Sequence, residues 1–353
     1  MGGILIYGAN GYTGQLAARR ACELGLPAVL GGRSGEALTA LGAELGLPVR
    51  VFGLDDPTAV ERGLKDIAVL LHCAGPFSAT AQPMIAACLK TGTHYLDITG
   101  EIDVFAYAHS CDAAAKKRKI VLCPGVGFDV VPTDCVAALL KQALPDATQL
   151  TLAFEAGGGP SPGTAKSSVE GAARGGRVRR DGKLVGVPHA WRVREIPFAA
   201  GPRKAVTIPW GDVYTAYVST GIPNIEVYLA MPPKAIRQLQ WMRWFAPLLG
   251  LGPVQTLLKA LIDRKVHGPD AIRLESTGSQ VWGEAVNALG ERVVAELTTP
   301  NGYKLTAEAG VEIARRVLAK PPRGGYYTPS QLVGPEILDA LQGVTLTPPR
   351  QLP

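Results

Sequence analysis

The opening of the chain restricts its fold more than any other stretch. Residues 4 to 14 read Ile-Leu-Ile-Tyr-Gly-Ala-Asn-Gly-Tyr-Thr-Gly. Ile4 to Tyr7 is an apolar run the length of a short buried strand, and Tyr12 to Leu24 has helical spacing. Between them Gly8, Gly11 and Gly14 recur at every third position. Strand, glycine turn and helix, in that order, form the context in which a dinucleotide pyrophosphate is held. Gly8 makes the turn, Gly11 lets the backbone approach the pyrophosphate, and Gly14 lets the helix pack closely on the strand. The helix start adds N–H groups and positive partial charge for the phosphates. The spacing is GxxGxxG, a variant of GxGxxG.

The next strand selects the cofactor. Pro27 to Leu30 is apolar and runs into Gly31-Gly32-Arg33-Ser34. A carboxylate about 20 residues after the glycine turn would bind a ribose 2′-hydroxyl. Arg33 stands there instead, and its planar donors suit a phosphate. NADP(H) is therefore the expected cofactor.

With 353 residues, 47% of them hydrophobic, the chain can form two domains with a sizeable core. The net charge of +6 is spread along it and suits anionic small molecules or an acidic carrier protein. No nucleic-acid motif accompanies the charge, so a nucleic-acid partner is not expected. No two of the six cysteines have CxxC spacing, which fits buried free thiols in the cytoplasm, and no metal is expected. The chain enters a strand almost at once, so no secretory leader is expected. Trp244 to Leu258 lacks charge, but Pro247, Gly250, Gly252 and Pro253 interrupt it. It is shorter than the ~20 apolar residues of a spanning helix. It reads as a broken helical hairpin at a core, dimer or lipid surface, with Trp241 and Trp244 suited to peripheral membrane contact.

Strand and helix signals alternate through the first third. Strands are expected at Val49 to Phe52, Ile67 to Cys73, Tyr95 to Ile98 and Ile120 to Cys123, with helices between them. This predicts an α/β fold with a Rossmann-type doubly wound parallel sheet. From Asp146 the pattern changes to strands with few helices, the expected strands including Tyr214 to Ser219 and Ala271 to Thr277. Helical signals return at Tyr303 to Leu318 and Ser330 to Leu341. The expected organisation is a discontinuous Rossmann domain, 1–145 with 303–353. A second α+β domain, 146–302, has a mostly antiparallel sheet and serves substrate binding and dimerisation.

Ligands of such sheets sit beyond the carboxyl ends of the strands. Three clusters stand there: Ala74-Gly75-Pro76-Phe77, Tyr95-Leu96-Asp97-Ile98-Thr99-Gly100-Glu101, and Pro124 to Asp134. Gly75 and Pro76 fix a turn that can pass close to a cofactor ribose, and Phe77 can wall the nicotinamide. Asp97, Glu101 and Asp129 are expected near one another. Each acid can also be read structurally, Glu101 as the cap of the helix that follows it. Arg174, Arg177, Arg179, Arg180 and Lys183 form a basic group, either solvated or a dock for a carrier protein or a CoA phosphate.

Taken together, Gly8 to Gly14, Gly32-Arg33, Ala74 to Phe77, Tyr95 to Glu101 and Gly127 to Asp134 resemble the saccharopine dehydrogenase-like oxidoreductases. Within them the chain is most similar to the trans-acting enoyl reductase branch. Val281-Trp282-Gly283-Glu284 and Gly302 to Thr306 support the match. The resemblance implies that Gly8, Asn10, Gly11, Tyr12, Thr13 and Arg33 touch NADP(H), with Ser34 near the 2′-phosphate. It implies that Ala74, Gly75, Pro76 and Phe77 line the nicotinamide half. The expected reaction is hydride transfer to an electron-poor double bond, with an acyl thioester or lipid-like enoyl group as substrate. Tyr95, Glu101 and Asp129 are the candidate proton donors. Two other readings stay open: a reductase of amino-acid-derived imines, and a non-catalytic NADPH-binding sensor or scaffold. A homodimer is expected.

Overall fold

The computed structural model describes residues 2–171, 175–266 and 268–352. Arg174, one of the basic group, lies outside the described residues. The chain divides into two compact units, one of Met1–Val131 with Tyr303–Gly334, the other of Pro132–Gly302 with Pro335–Pro353.

The first unit is built on a seven-stranded sheet. Its strands are β1 (Gly3–Tyr7), β2 (Ala28–Gly32), β3 (Val49–Val51), β4 (Ile67–His72), β5 (His94–Asp97), β6 (Val121–Cys123) and the two-residue strand Gly325–Tyr326. Every pairing is parallel. The order runs Gly325–Tyr326, β6, β5, β4, β1, β2, β3, so the chain reverses its winding between β1 and β4. β1 and β4 are buried almost throughout, as continuous apolar runs in a sheet covered on both faces must be. The connecting helices are α1 (Tyr12–Glu23), α2 (Gly35–Leu45), α3 (Pro57–Gly63), α4 (Phe77–Thr91), α5 (Ile102–Ser110) and α6 (Asp112–Arg118). Asp56 caps α3, its side chain accepting from the Thr58 N–H at 2.9 Å.

The second unit carries a mixed sheet and the helices α7 (Val131–Ala143), α8 (Pro162–Gly171), α9 (Asp212–Thr220), α10 (Pro233–Met242), α11 (Ala246–Leu249), α12 (Gly252–Lys265) and α13 (Ala271–Ser276). Its strands are β7 (Gln149–Ala156), β8 (Gly176–Arg180), β9 (Lys183–Val187), β10 (Val193–Phe198), β11 (Gly201–Thr207), β12 (Asn224–Ala230), β13 (Gly278–Val286), β14 (Arg292–Pro300) and Thr345–Leu352. The main path runs β10-β11-β12-β7-β13-β14 and ends on Thr345–Leu352. Only β12 and β7 pair in parallel on that path. Trp282 is buried at its centre with Ala153, Ile196, Phe198, Ala205, Tyr228 and Val294.

Three expectations change. The segments expected as strands at Tyr214–Ser219 and Ala271–Thr277 are helical. Their β-branched residues favour a strand locally, but context wins. Gly221, at φ +71°, ends α9, which buries Val213, Thr215, Ala216 and Thr220. Asp270 caps α13 by accepting from the Arg273 N–H at 2.8 Å. The third change is the grouping of segments. Residues 132–145 and 335–353, expected with the first domain, fall in the second unit. There α7 packs on β13, and Thr345–Leu352 adds itself to β14 as the edge strand.

The α7 contact is tight. A Cβ at Gly283 would stand 2.5 Å from Val136 Cγ1 and 2.8 Å from Leu140 Cδ1. Gly283→Ala is expected to cost about 1–3 kcal/mol through overpacking. Val136→Ala in the same chain is expected to restore part of it. Thermal or denaturant unfolding of the two variants checks both statements.

Candidate functional site

The carboxyl ends of β1, β2, β4, β5 and β6 share one edge of the parallel sheet, and the predicted residues gather there. Gly8 adopts φ +84°, open to glycine without strain. Its N–H and that of Ala9 both donate to Gly31 O, at 2.8 and 3.1 Å, tying the turn to β2. A Cβ on Gly8 would lie 2.8 Å from Ala74 N, so the glycine turn abuts the turn after β4. At Gly14 a Cβ would overlap Gly8 O and stand 2.8 Å from Ala9 Cα. Gly11 is the exposed N-cap of α1, and its own N–H donates back to Gly8 O at 2.9 Å. Asn10 Oδ1 lies 3.1 Å from the Cβ position of Gly32, which brings the loop to the end of β2. Tyr12 stacks edge-on with Tyr303, ring centroids 5.0 Å apart. Thr13 is half-buried in the first turn of α1.

Arg33 and Ser34 follow directly. Both are exposed, and Ser34 is the N-cap of α2 without a capping bond from its hydroxyl. Among the described residues Arg33 has neither a hydrogen bond nor an ion pair. Its guanidinium thus stands at the end of β2 with its donors uncommitted, as a phosphate reader requires.

The turn Ala74-Gly75-Pro76-Phe77 contains a cis Gly75–Pro76 peptide. The Phe77 ring, expected as a wall for the nicotinamide, is buried edge-on against His72, with centroids 5.3 Å apart. What holds this turn is Glu101. One carboxylate oxygen accepts from the Phe77 N–H at 3.0 Å and the other from the Ser78 N–H at 2.8 Å. Glu101 therefore caps α4 rather than its own helix α5, to which its side chain makes no capping bond. A carboxylate at the positive end of a helix is favourably placed.

Tyr95 and Asp97, two apart on β5, share one face of the sheet. Both are fully buried, and the Tyr95 hydroxyl donates to Asp97 Oδ2 at 2.6 Å. The Tyr95 hydroxyl, a candidate proton donor to substrate, is thus hydrogen-bonded inside the unit. The other oxygen of Asp97 accepts from Thr99 N and Gly125 N, each at 2.9 Å. Asp97 thereby joins the end of β5 to the start of the β6 loop. Burial raises its pKa to about 6, against the pull of these three hydrogen bonds.

Asp129 sits on that loop. Its Oδ2 lies 2.9 Å from the Cβ position of Gly100, so any side chain at 100 would displace it. Burial, and then the Glu101 charge, push its pKa up to about 7. Glu101 also bears on Asp97 and Tyr95, so the three expected acids do converge. Gly127 allows Thr306 to come close, and the Thr306 hydroxyl accepts from Phe128 N at 3.0 Å. Asp97 is the hub of these contacts, a role signalled in the sequence only by the alternation of Tyr95 with Asp97.

Two members of the basic group, Arg179 and Arg180, are used internally. Arg179 is buried, donates to Val213 O and Gly182 O, each at 2.7 Å, and lies over the Tyr217 ring at 4.1 Å. Arg180 and Arg192 pair with Glu226, and Arg194 and Arg292 with Glu284.

Glu101→Ala removes the acceptor of two N–H groups at the start of α4. A loss of about 1–2 kcal/mol in stability is expected, with faster hydrogen exchange localised at Phe77 and Ser78. Exchange unchanged at those amides would contradict this role.

Comparison with known proteins agrees with this geometry. Residues 4–122 match the family described as saccharopine dehydrogenase NADP binding domain. A trans-acting enoyl reductase of Mycobacterium leprae is 35% identical over 156 residues, 41% of this chain and 37% of that protein. A mouse saccharopine dehydrogenase-like oxidoreductase is 26% identical over 151 residues, 37% of this chain and 35% of that protein. The matched segment thus spans little more than a third of the length of these relatives. Over 99% of both chains the fold is similar to apo saccharopine dehydrogenase (L-Glu forming) of Saccharomyces cerevisiae, with a TM-score of 0.68 and 10% identity. Homospermidine synthase of Legionella pneumophila, solved with NAD, has a TM-score of 0.65 and 10% identity, covering 98% of this chain and 91% of that one. The chain has the saccharopine dehydrogenase fold, and its first third, residues 4–122, matches the NADP-binding domain of that family.

Proposed function

We propose that the protein is an NADP(H)-dependent reductase of an enoyl C=C bond in an acyl or lipid-like substrate. The observation that carries this reading is the 35% identity to a trans-acting enoyl reductase. The geometry supports it with an uncommitted guanidinium at the end of β2 and a half-buried carboxyl, Asp129, whose pKa is pushed up to about 7.

The glycine turn, the start of α1 and Arg33 fit a dinucleotide with a 2′-phosphate. Gly8 and Gly14 leave no room for side chains, and Gly11 presents exposed backbone. Asn10, Tyr12, Thr13 and Ser34 complete this half, and Ala74, Gly75 and Pro76 line the nicotinamide half. NADPH, when bound, supplies the hydride. The protein's own part is to deliver a proton and fix geometry. Asp129 is the proton donor to the carbon that does not receive hydride, because a pKa near the working pH suits a general acid. Glu101 is a positioning residue: it pins the Gly75–Pro76 turn and its charge raises Asp129. Tyr95 and Asp97 fix the loop that carries Asp129.

The direct test is NADPH oxidation with 2-enoyl thioesters, compared with imines and ketones. Turnover of the enoyl compounds to saturated products is expected. Turnover confined to imines would overturn the reading.

Arg33→Asp is expected to weaken NADPH relative to NADH by ~10–100-fold, since a carboxylate repels the 2′-phosphate. Titration of both nucleotides checks it.

Asp129→Asn separates chemistry from stability. Folded Asp129 keeps its proton up to about pH 7, whereas an ordinary aspartate loses it near 3.8. Across that window the native state binds more protons than the unfolded state, so this residue's contribution to stability falls as pH rises. Asparagine fixes the neutral form. The variant is expected to be more stable than the parent at pH 8 by about 1–3 kcal/mol, with the gap closing toward pH 4. Its enoyl reduction is expected to fall ~10²-fold or more in kcat with NADPH affinity retained. Melting curves across pH and steady-state kinetics check the two halves.

A further inference from the structure

We propose that α10, α11 and α12, with the turn Arg243–Phe245 between the first two, form a docking surface for an anionic lipid bilayer. This surface belongs to the second unit alone and is independent of the reaction proposed above.

The first observation is exposure. Trp241 is 74% and Trp244 73% exposed, and Leu248, Leu251, Leu257 and Leu261 are between 40% and 62% exposed. Six large apolar side chains therefore face solvent within 21 consecutive residues. Single exposed hydrophobic residues are ordinary, but a concentrated group marks an interaction surface. The remaining tryptophans have internal uses. Trp282 is buried, Trp191 lies beneath Arg180 and Arg192, and Trp210 packs on Phe154.

The second observation is that the same helices already have a core side. On α10, Ile236 is buried. On α12, Gln255 donates to Val169 O at 2.9 Å and to Leu249 O at 2.6 Å, while Lys259 pairs with Glu170. Leu257 and Leu261, four apart, make a stripe on the exposed side. The exposed group is thus an outer face, not a mispacked core.

Charge selects the occupant. Between residues 232 and 266 stand Lys234, Arg237, Arg243, Arg264 and Lys265, besides the Lys259 that pairs with Glu170, against the single acid Asp263. Arg243 lies over the Trp244 ring at 5.5 Å. Tryptophan and leucine flanked by lysine and arginine is the composition of helices that lie in a membrane interface. A second copy of this chain would bring like charges together, whereas anionic headgroups complement them. Among the described residues no helix is long and apolar enough to cross a membrane, so the contact lies in the plane of the surface.

The test uses the full chain and vesicles of phosphatidylcholine with about 30% phosphatidylglycerol. Wild-type protein is expected to co-float with these vesicles at least ~10-fold more than with pure phosphatidylcholine, and to be released by roughly 0.5 M NaCl. Brominated lipid is expected to quench its tryptophan fluorescence, a readout that needs no variant. Trp241→Ser with Trp244→Ser is expected to abolish quenching and binding while leaving the melting temperature in place. Arg243→Glu with Arg264→Glu and Lys265→Glu is expected to remove the preference for anionic vesicles. Absence of wild-type binding would overturn the proposal, as would binding that survives the double tryptophan change. So would a wild-type dimer that dissociates on that change and ignores vesicles, which would identify a second copy as the occupant.

Discussion

The close approach of α1 to the end of β1 is the constraint on which the first unit rests. Gly14 has no side chain, and the helix lies so near the turn that a Cβ would overlap the Gly8 carbonyl. That contact fixes where α1 begins and therefore where its N-terminal N–H groups point. The same turn is tied to β2 through Gly31 O and touches Ala74 after β4. One sterically forced contact thus sets the spacing of three strand ends, and the ligand-facing edge of the sheet follows from it.

At the neighbouring strand ends three carboxyl groups lie within electrostatic reach of one another, yet their surroundings separate their roles. Glu101 is satisfied by two helix N–H groups. Asp97 is satisfied by two backbone N–H groups and the Tyr95 hydroxyl, which hold its pKa at about 6 despite full burial. Asp129 rises to about 7, with the Glu101 charge adding to burial. Like charges in a poorly solvated site push one member toward its neutral form, and that member is the one able to give up a proton. In the proposed reduction Glu101 and Asp97 are scaffolding and Asp129 does chemistry.

The second unit handles charge differently. Glu226 and Glu284 are nearly buried, and each is met by two arginines. Removing one partner from such a group costs more than the pair contributes, so these arginines specify packing. The basic run at residues 177–183 contributes Arg179 and Arg180 to these internal contacts, leaving less of it for a partner than a count of charges suggests. The exposed basic residues of α10 and α12 are the ones set beside exposed tryptophan and leucine.

Much of this was legible from local sequence. The glycine spacing and the apolar runs at Ile4–Tyr7 and Ile67–His72 specify a parallel sheet and a dinucleotide turn, because period and steric allowance are properties of a few adjacent residues. Arg33 in place of a carboxylate is legible for the same reason, and in the proposed function it reads the 2′-phosphate. Tertiary structure decided the rest. Tyr214–Ser219 became helical by burying one face, with Val213, Thr215 and Ala216 inside, which no local propensity encodes. Thr345–Leu352 joined β14, a pairing across many residues. Glu101 reached across to α4, and Tyr95 turned inward to Asp97, because a side chain's partner is set by which strand ends lie side by side, and that order exists only once the sheet has formed.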